Sequence, residues 1–139
     1  MPVAYFNKIG LLLLNEDQTK FLVCEKNYFT ADFIMPGGRL EENEDDIECL
    51  SREIKEELDV ETDKESLVFV NEYIDVAAGD ETKDVSIKLY RWKIIGEPKP
   101  SNEIINFYLI GKNDIAHPRL SPIIKNKILP DLIAKNILK

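Results

Sequence analysis

Cysteine is nearly absent from this 139-residue chain: Cys24 and Cys49 are the only two, too few and too unpatterned for a disulfide frame or a thiolate metal cage. Both are expected to stay reduced, with Cys49 partly buried. Histidine is scarcer still. The single one, His117, precedes Pro118 in a stretch that reads as loop, a weak basis for histidine catalysis. No apolar run is long enough to span a membrane, and residues 3–14 lack the charged start and small-residue cleavage site of a signal peptide; the expectation is a soluble, cytoplasmic protein. Positive charge is also in short supply, 18 Lys and Arg against 26 Asp and Glu for a net charge of −8 and a pI near 4.7. That balance repels nucleic-acid backbones and anionic membranes. It would repel a small anionic substrate as well unless a metal cation came with it. Repeats, low-complexity tracts and linkers are missing too, and a 44% hydrophobic composition suits one domain over residues 1–139 with a sizeable core.

What the chain does have is concentrated between Pro36 and Val60. Pro36-Gly37-Gly38 forms a turn signal in which backbone groups can approach a ligand closely. An acidic loop follows, then a helical pattern from Asp45 to Leu58 in which Ile47, Leu50, Ile54 and Leu58 recur at three- and four-residue steps and make one apolar stripe. Asn43 is placed to cap this helix, and Glu44, Asp45, Asp46 and Glu48 complement the positive end of its dipole. Asp59 takes the left-handed position just past the helix end. Glu53, Glu56 and Glu57 are spaced to share a surface about a quarter turn from the stripe. Like charges at this spacing repel by about 0.2 to 0.5 kcal/mol per pair, and a divalent cation would reverse that. Mg²⁺ prefers hard oxygen ligands and is commonly held by a few carboxylates together with substrate phosphates.

Gly38, Glu44, Arg52, Glu53, Ile54, Glu56, Glu57 and Val60 fall at the spacing G-x5-E-x7-R-E-U-x-E-E-x-G-U, where U is aliphatic. The chain therefore resembles the Nudix hydrolase family and is MutT-like; only the late glycine departs, being Asp59. The resemblance implies an α/β (α+β) fold, an α/β/α sandwich around a mixed β-sheet. It implies Mg²⁺, with Mn²⁺ as the substitute, held by Glu53, Glu56, Glu57 and a backbone carbonyl at Gly37, with Gly38 as the alternative. Arg52 is implied to orient a box glutamate, and by spacing it neighbours Glu56. Gly37, Gly38 and Glu44 are expected at the substrate, although Glu41 and Glu44 divide evenly between supporting the site and simple helix-start electrostatics.

The remaining elements are read from periodicity. Lys8 to Leu14 and Phe21 to Lys26 read as strands of a hairpin about a polar turn, and Tyr28 to Met35 as an aromatic-rich connection. Leu67 to Val76 and Val85 to Ile95 read as strands flanking a turn region over Ala78 to Asp84, and Phe107 to Ile110 as a short strand. Side chains alternate faces, which puts Val85, Ile87 and Leu89 on one side and Lys88, Tyr90 and Trp92 on the other. Ser121-Pro122 starts a helical segment that Pro130 interrupts or restarts, with Ile123, Ile124, Ile128, Leu129, Leu132, Ile133, Ile137 and Leu138 facing inward.

The chemistry these parts suggest is Mg²⁺-dependent hydrolysis of a diphosphate linkage in a nucleoside diphosphate joined to another moiety, by water attack on phosphorus. Glu53 is one candidate for the general base. A later acid is the other, Glu103 being chosen over Glu97. The region Asp75 to Ala78 shows neither the proline of the family's ADP-ribose enzymes nor the tyrosine of its dinucleoside polyphosphate enzymes, and this favours a nucleoside triphosphate or related small nucleotide. Tyr28, Phe29, Phe33, Tyr73, Trp92 and Tyr108 are candidates to stack on a base, most of them read as core. A monomer or homodimer acting on a small nucleotide is expected, and a catalytically silent nucleotide-binding module is the alternative.

Overall fold

The computed structural model describes residues 4–26 and 30–139; Tyr28 and Phe29, candidates for base stacking, lie outside the described residues. Four strands form the central sheet. β1 (Phe6–Leu12) pairs parallel with β6 (Asp80–Arg91) on one side and antiparallel with β3 (Gly37–Arg39) on the other, while β5 (Val68–Ala77) lies antiparallel to β6 at the edge. β2 (Phe21–Lys26) pairs with β8 (Ile104–Ile110), and β4 (Glu61–Thr62) with β7 (Ile94–Ile95).

Helix α1 (Asp46–Leu58) covers one face of the sheet. Its Cys49, Leu50, Ile54 and Leu58 pack with Ile9, Leu11, Val60 and Trp92. The opposite face is covered by the C-terminal helical segment, where Ile123, Ile124, Ile128, Leu129 and Leu132 pack on Leu12, Val85, Ile87 and Leu89. This is the expected α/β/α arrangement, and the alternation along β6 divides its side chains between the two cores as the period of two requires. Among the described residues no helix is long and apolar enough to cross a membrane.

Several expectations need correction. The hairpin between the first two strands exists only at its base, where Leu14 bridges Phe21 and the Leu22 N–H donates to the Leu13 carbonyl. Beyond it β1 and β2 part into different sheets, because β1 finds β6 as its partner. The turn between β5 and β6 is confined to Ala78 and Gly79, and β6 ends at Arg91 before the separate β7. β8 begins three residues earlier than expected.

The α1 N-cap is Asp45, not Asn43. The Asp45 carboxylate accepts from the Glu48 N–H at 2.8 Å and the Glu48 carboxylate accepts from the Asp45 N–H, a reciprocal capping box. Asn43 instead occupies a left-handed turn at φ 67°. Ile47 is 47% exposed although it shares the stripe's azimuth. It lies in the first turn, where Asp46 is held by the Tyr90 hydroxyl at 2.7 Å and by Lys88 rather than by apolar packing. Asp59 does end the helix in the left-handed conformation, φ 55° and ψ 43°.

The C-terminal segment is not interrupted at Pro130. Residues 122–134 run on through a π-turn, Ile124–Ile128, into α2 (Leu129–Ala134). Pro130 has no N–H to give the preceding turn, and a widened turn there is one way to absorb it.

Candidate active site

Gly37 sits at φ 133°, and a Cβ there would run into the backbone carbonyl of Ile9 across the β1–β3 pairing. Only glycine fits this approach. At Gly38 a Cβ would overlap the carboxylate of Glu53. The missing side chain is thus a cradle in which the α1 carboxylate lies against the backbone of β3.

Glu57 points inward. It is 2% exposed, so it belongs to the apolar stripe rather than sharing an open surface with Glu56, which is a correction to the spacing argument. Its Oε1 accepts from the Gly37 N–H at 2.8 Å and its Oε2 lies 2.7 Å from the Lys26 ammonium. Burial pushes the Glu57 carboxyl up, while Lys26 and the Gly37 N–H pull it down. Lys26 comes from β2, and no local sequence pattern announces its place beside Glu57.

Arg52 forms the second cluster. Its Nε donates to Glu44 at 2.7 Å, and its two terminal nitrogens donate to Glu44 at 3.0 Å and Glu53 at 2.9 Å. This planar two-point grip is specific to guanidinium. The hydrogen bonds from Arg52 hold the Glu44 carboxyl down at about 2. Arg52 also donates to the Arg39 carbonyl at 3.2 Å, while Glu41 and Glu56 stand 3.6 Å away. The structure therefore places Glu44 behind Arg52, with its carboxylate committed there, rather than on the wall of the neighbouring cavity. Arg52 reaches Glu53 and Glu44 more closely than Glu56, the neighbour that spacing suggested.

That cavity, of about 590 Å³, opens between β1, β3, β6 and the start of the C-terminal segment; Gly37, Gly38, Glu53 and Glu103 line it, together with Lys8, Lys26 and Arg39. Glu97 is exposed and is not part of this wall. The Arg39 guanidinium lies 4.6 Å over the Phe6 ring. Lys8 is half-buried, and burial with the nearby Lys26 and Arg39 charges lowers its ammonium to about 8. Lys8 is the one cation of β1, next to Asn7, and no local pattern announces its place in the cavity.

The donor set of Glu53, Glu56 and Glu57 has the hard-oxygen chemistry that suits Mg²⁺, and the Gly38 cradle holds one of these carboxylates at the cavity wall. Among the described residues no three acidic, histidine or cysteine side chains are gathered as a closed ligand cluster. Both Glu57 oxygens are engaged, by Lys26 and by the Gly37 N–H. The residues fit the ion in kind, and Glu56 remains exposed on the same helix.

Of the other residues singled out, Cys24 and Cys49 are free and fully buried. Desolvation pushes the Cys49 thiol up to about 12 and Cys24 in the same direction, leaving both inert. Trp92 fills the core beneath α1 and donates to the Asp63 carbonyl at 2.7 Å. Phe33 stacks on Tyr108 at 4.5 Å and contacts His117. Tyr73 donates to Asp131 at 2.6 Å, tying β5 to α2. None of these five rings lines the cavity.

Residues 5–132 match the family model described as NUDIX domain. No curated protein matches the sequence. Among solved structures, the MutT protein from Methanosarcina mazei Go1 superposes with a TM-score of 0.73 at 20% identity, over 98% of this chain and 98% of that one. The E. coli ORF135 protein gives 0.72 at 15% identity over 98% and 96%, and a C. elegans Ap4A hydrolase 0.69 at 19% over 96% and 98%. At such identities these neighbours show the shared fold. The family match extends over the strands and the C-terminal segment as well as the helix that carries the glutamates, and on that span the chain belongs to the Nudix hydrolase family.

Proposed function

We propose that this enzyme hydrolyses the diphosphate linkage of a nucleoside triphosphate or related small nucleotide in a Mg²⁺-dependent reaction, with Mn²⁺ as substitute. The observation that carries the reading is the Glu53 carboxylate, seated in the Gly38 cradle, held by Arg52 and lining a cavity large enough for a nucleotide. Glu53, Glu56 and Glu57, with the Gly37 carbonyl, would hold the cation. Bound there, it would neutralise charge on the phosphate oxygens and act as a Lewis acid toward phosphorus.

The chain's own groups divide the remaining work. Arg52 fixes the rotamer of Glu53 and is itself fixed by Glu44. Glu53 is one candidate to orient or deprotonate the attacking water; Glu103, on the same cavity wall, is the other. Lys26 neutralises Glu57 until ligand arrives, and the Lys26 and Arg39 lining draws a polyphosphate into a molecule whose net charge would otherwise repel it. The fold neighbours that are named MutT protein and Ap4A hydrolase accord with a nucleotide substrate.

The test is a panel of nucleoside triphosphates, oxidised nucleotides, nucleotide sugars, ADP-ribose and dinucleoside polyphosphates, with Mg²⁺ or with chelator, read by phosphate or pyrophosphate release. Cleavage of one class is expected, abolished by chelator and by Glu56→Gln, whose exposed side chain can be neutralised while the fold survives. Unchanged turnover in both Glu53→Gln and Glu56→Gln would sink the site. Absence of cleavage, with nucleotide-induced thermal stabilisation, would point to a binding module.

A further inference from the structure

Two polar side chains in the cavity make no hydrogen bond among the described residues. Lys8 stands on β1 between Phe6 and Gly10, in register with Arg39 of β3 and Ile87 of β6, so it rises from the sheet face that the C-terminal segment covers. Among the described residues it makes no hydrogen bond or ion pair. Ser121 is 1% exposed, and among the described residues its Oγ has no hydrogen-bond partner. It directly precedes Pro122 at the start of the C-terminal helical segment, the place where a serine hydroxyl ordinarily caps the first backbone N–H groups. It caps none. Both residues line the same cavity, among Phe6, Val85, Ile87 and Ile123.

An unsatisfied buried hydroxyl is costly, and so is a half-buried ammonium crowded by the Lys26 and Arg39 charges without an ion pair of its own; a ligand that satisfied both would remove the cost. The ammonium has three donors and no acceptor, and the hydroxyl can donate as well, so the missing partner carries acceptors. Its body must be flat or slender and apolar enough to pack on Phe6, Ile87 and Ile123. A nucleobase meets both conditions. An exocyclic amino group facing Lys8 would set donor against donor, whereas a ring carbonyl would complete the contact.

We propose that Lys8 and Ser121 form the base-reading edge of the nucleotide site and select bases with a carbonyl at purine C6 or pyrimidine C4, such as guanine, hypoxanthine or uracil, over adenine and cytosine, which carry an amino group at that position. The proposal rests on the nucleotide hydrolase reading and deepens it.

The experiment measures kcat/KM for GTP, ITP, UTP, ATP and CTP with the wild-type chain, Lys8→Met and Ser121→Ala. A hydrogen bond to a charged donor discriminates on the order of tenfold to a hundredfold, so the wild type should favour the oxo bases by about that factor. Lys8→Met should collapse the ratio, and Ser121→Ala should lower it several-fold through KM. Ser121→Ala should also melt no lower than wild type without nucleotide, because it deletes an unsatisfied group; a purely structural serine would give the opposite sign. Cleavage without base preference would overturn the proposal, as would equal loss on all five substrates in Lys8→Met, which would assign Lys8 to the phosphates they share. If Lys8→Met fails to fold, Ser121→Ala reads the same edge on the same panel. No cleavage of any nucleotide would instead strike at the hydrolase reading.

Discussion

A methyl group added at Gly38 would meet the carboxylate tip of Glu53, whereas one added at Gly37 would meet the backbone of β1 at a φ that L-residues rarely adopt. The two neighbouring glycines therefore separate activity from stability. Glu53 is the flexible end of a side chain and can swing aside, so Gly38→Ala should cost stability no more than about 1 kcal/mol. By swinging aside it loses its place at the cavity wall and its alignment on Arg52, and kcat should fall at least about tenfold, since misplacing a reacting group by an ångström costs that and more. Gly37→Ala has no such escape and should destabilise by about 3 kcal/mol or more, from positive-φ strain together with a backbone clash. Thermal midpoints and kcat of the two variants check the contrast. A Gly38→Ala enzyme with full turnover would show that the Glu53 position in the cradle is irrelevant to the reaction.

At the scale of elements, α1 shows what a sequence can and cannot announce. Its stripe of Leu50, Ile54 and Leu58, its end at Asp59 and its acidic first turn rest on contacts within a few residues, and these local rules were readable. Its cap lies two residues beyond the one expected because Asn43 and Asp45 are both good caps, and the choice falls to the one with Glu48 three positions on. Asp45→Ala should accordingly cost about 1 kcal/mol, while Asn43→Gly should leave the thermal midpoint unchanged or raise it, since φ 67° suits glycine. Equal losses in the two variants would contradict the assigned cap. Partnership of strands was less legible. β1 and β2 carry a hairpin's composition and a polar turn, yet β1 pairs with β6, about eighty residues away along the chain, a choice made by burial on both faces and not by any local signal. Part of the candidate site shares that fate. Arg52, Glu53, Glu56 and Glu57 are readable from spacing along one helix. Lys8, Lys26 and Ser121 lie on β1, on β2 and before the C-terminal segment, and only the tertiary fold brings them to one cavity.

Across the whole molecule, the excess of acid complicates any test for a specific metal. A chain of net charge −8 is stabilised by almost any salt, because screening relieves self-repulsion. A specific ion differs in saturating: occupancy of one site stabilises by about 2.7 kcal/mol when the free ion is a hundredfold above its dissociation constant, which is several degrees in the midpoint for a domain of this size. The wild-type chain should therefore gain several degrees in millimolar Mg²⁺ beyond what NaCl of matched ionic strength gives, and chelator should remove that increment. Glu56→Gln should keep the salt effect and lose the Mg²⁺ increment, since its carboxylate is exposed and contributes little packing. Glu57 makes the increment smaller than the site's intrinsic affinity suggests, because its carboxylate must leave Lys26 and the Gly37 N–H, or share them, before it can serve as a ligand. If Mg²⁺ and matched NaCl moved the wild type and Glu56→Gln alike, the acids of α1 would be no more than a solvated helix face, and the metal-dependent reading would fall with them.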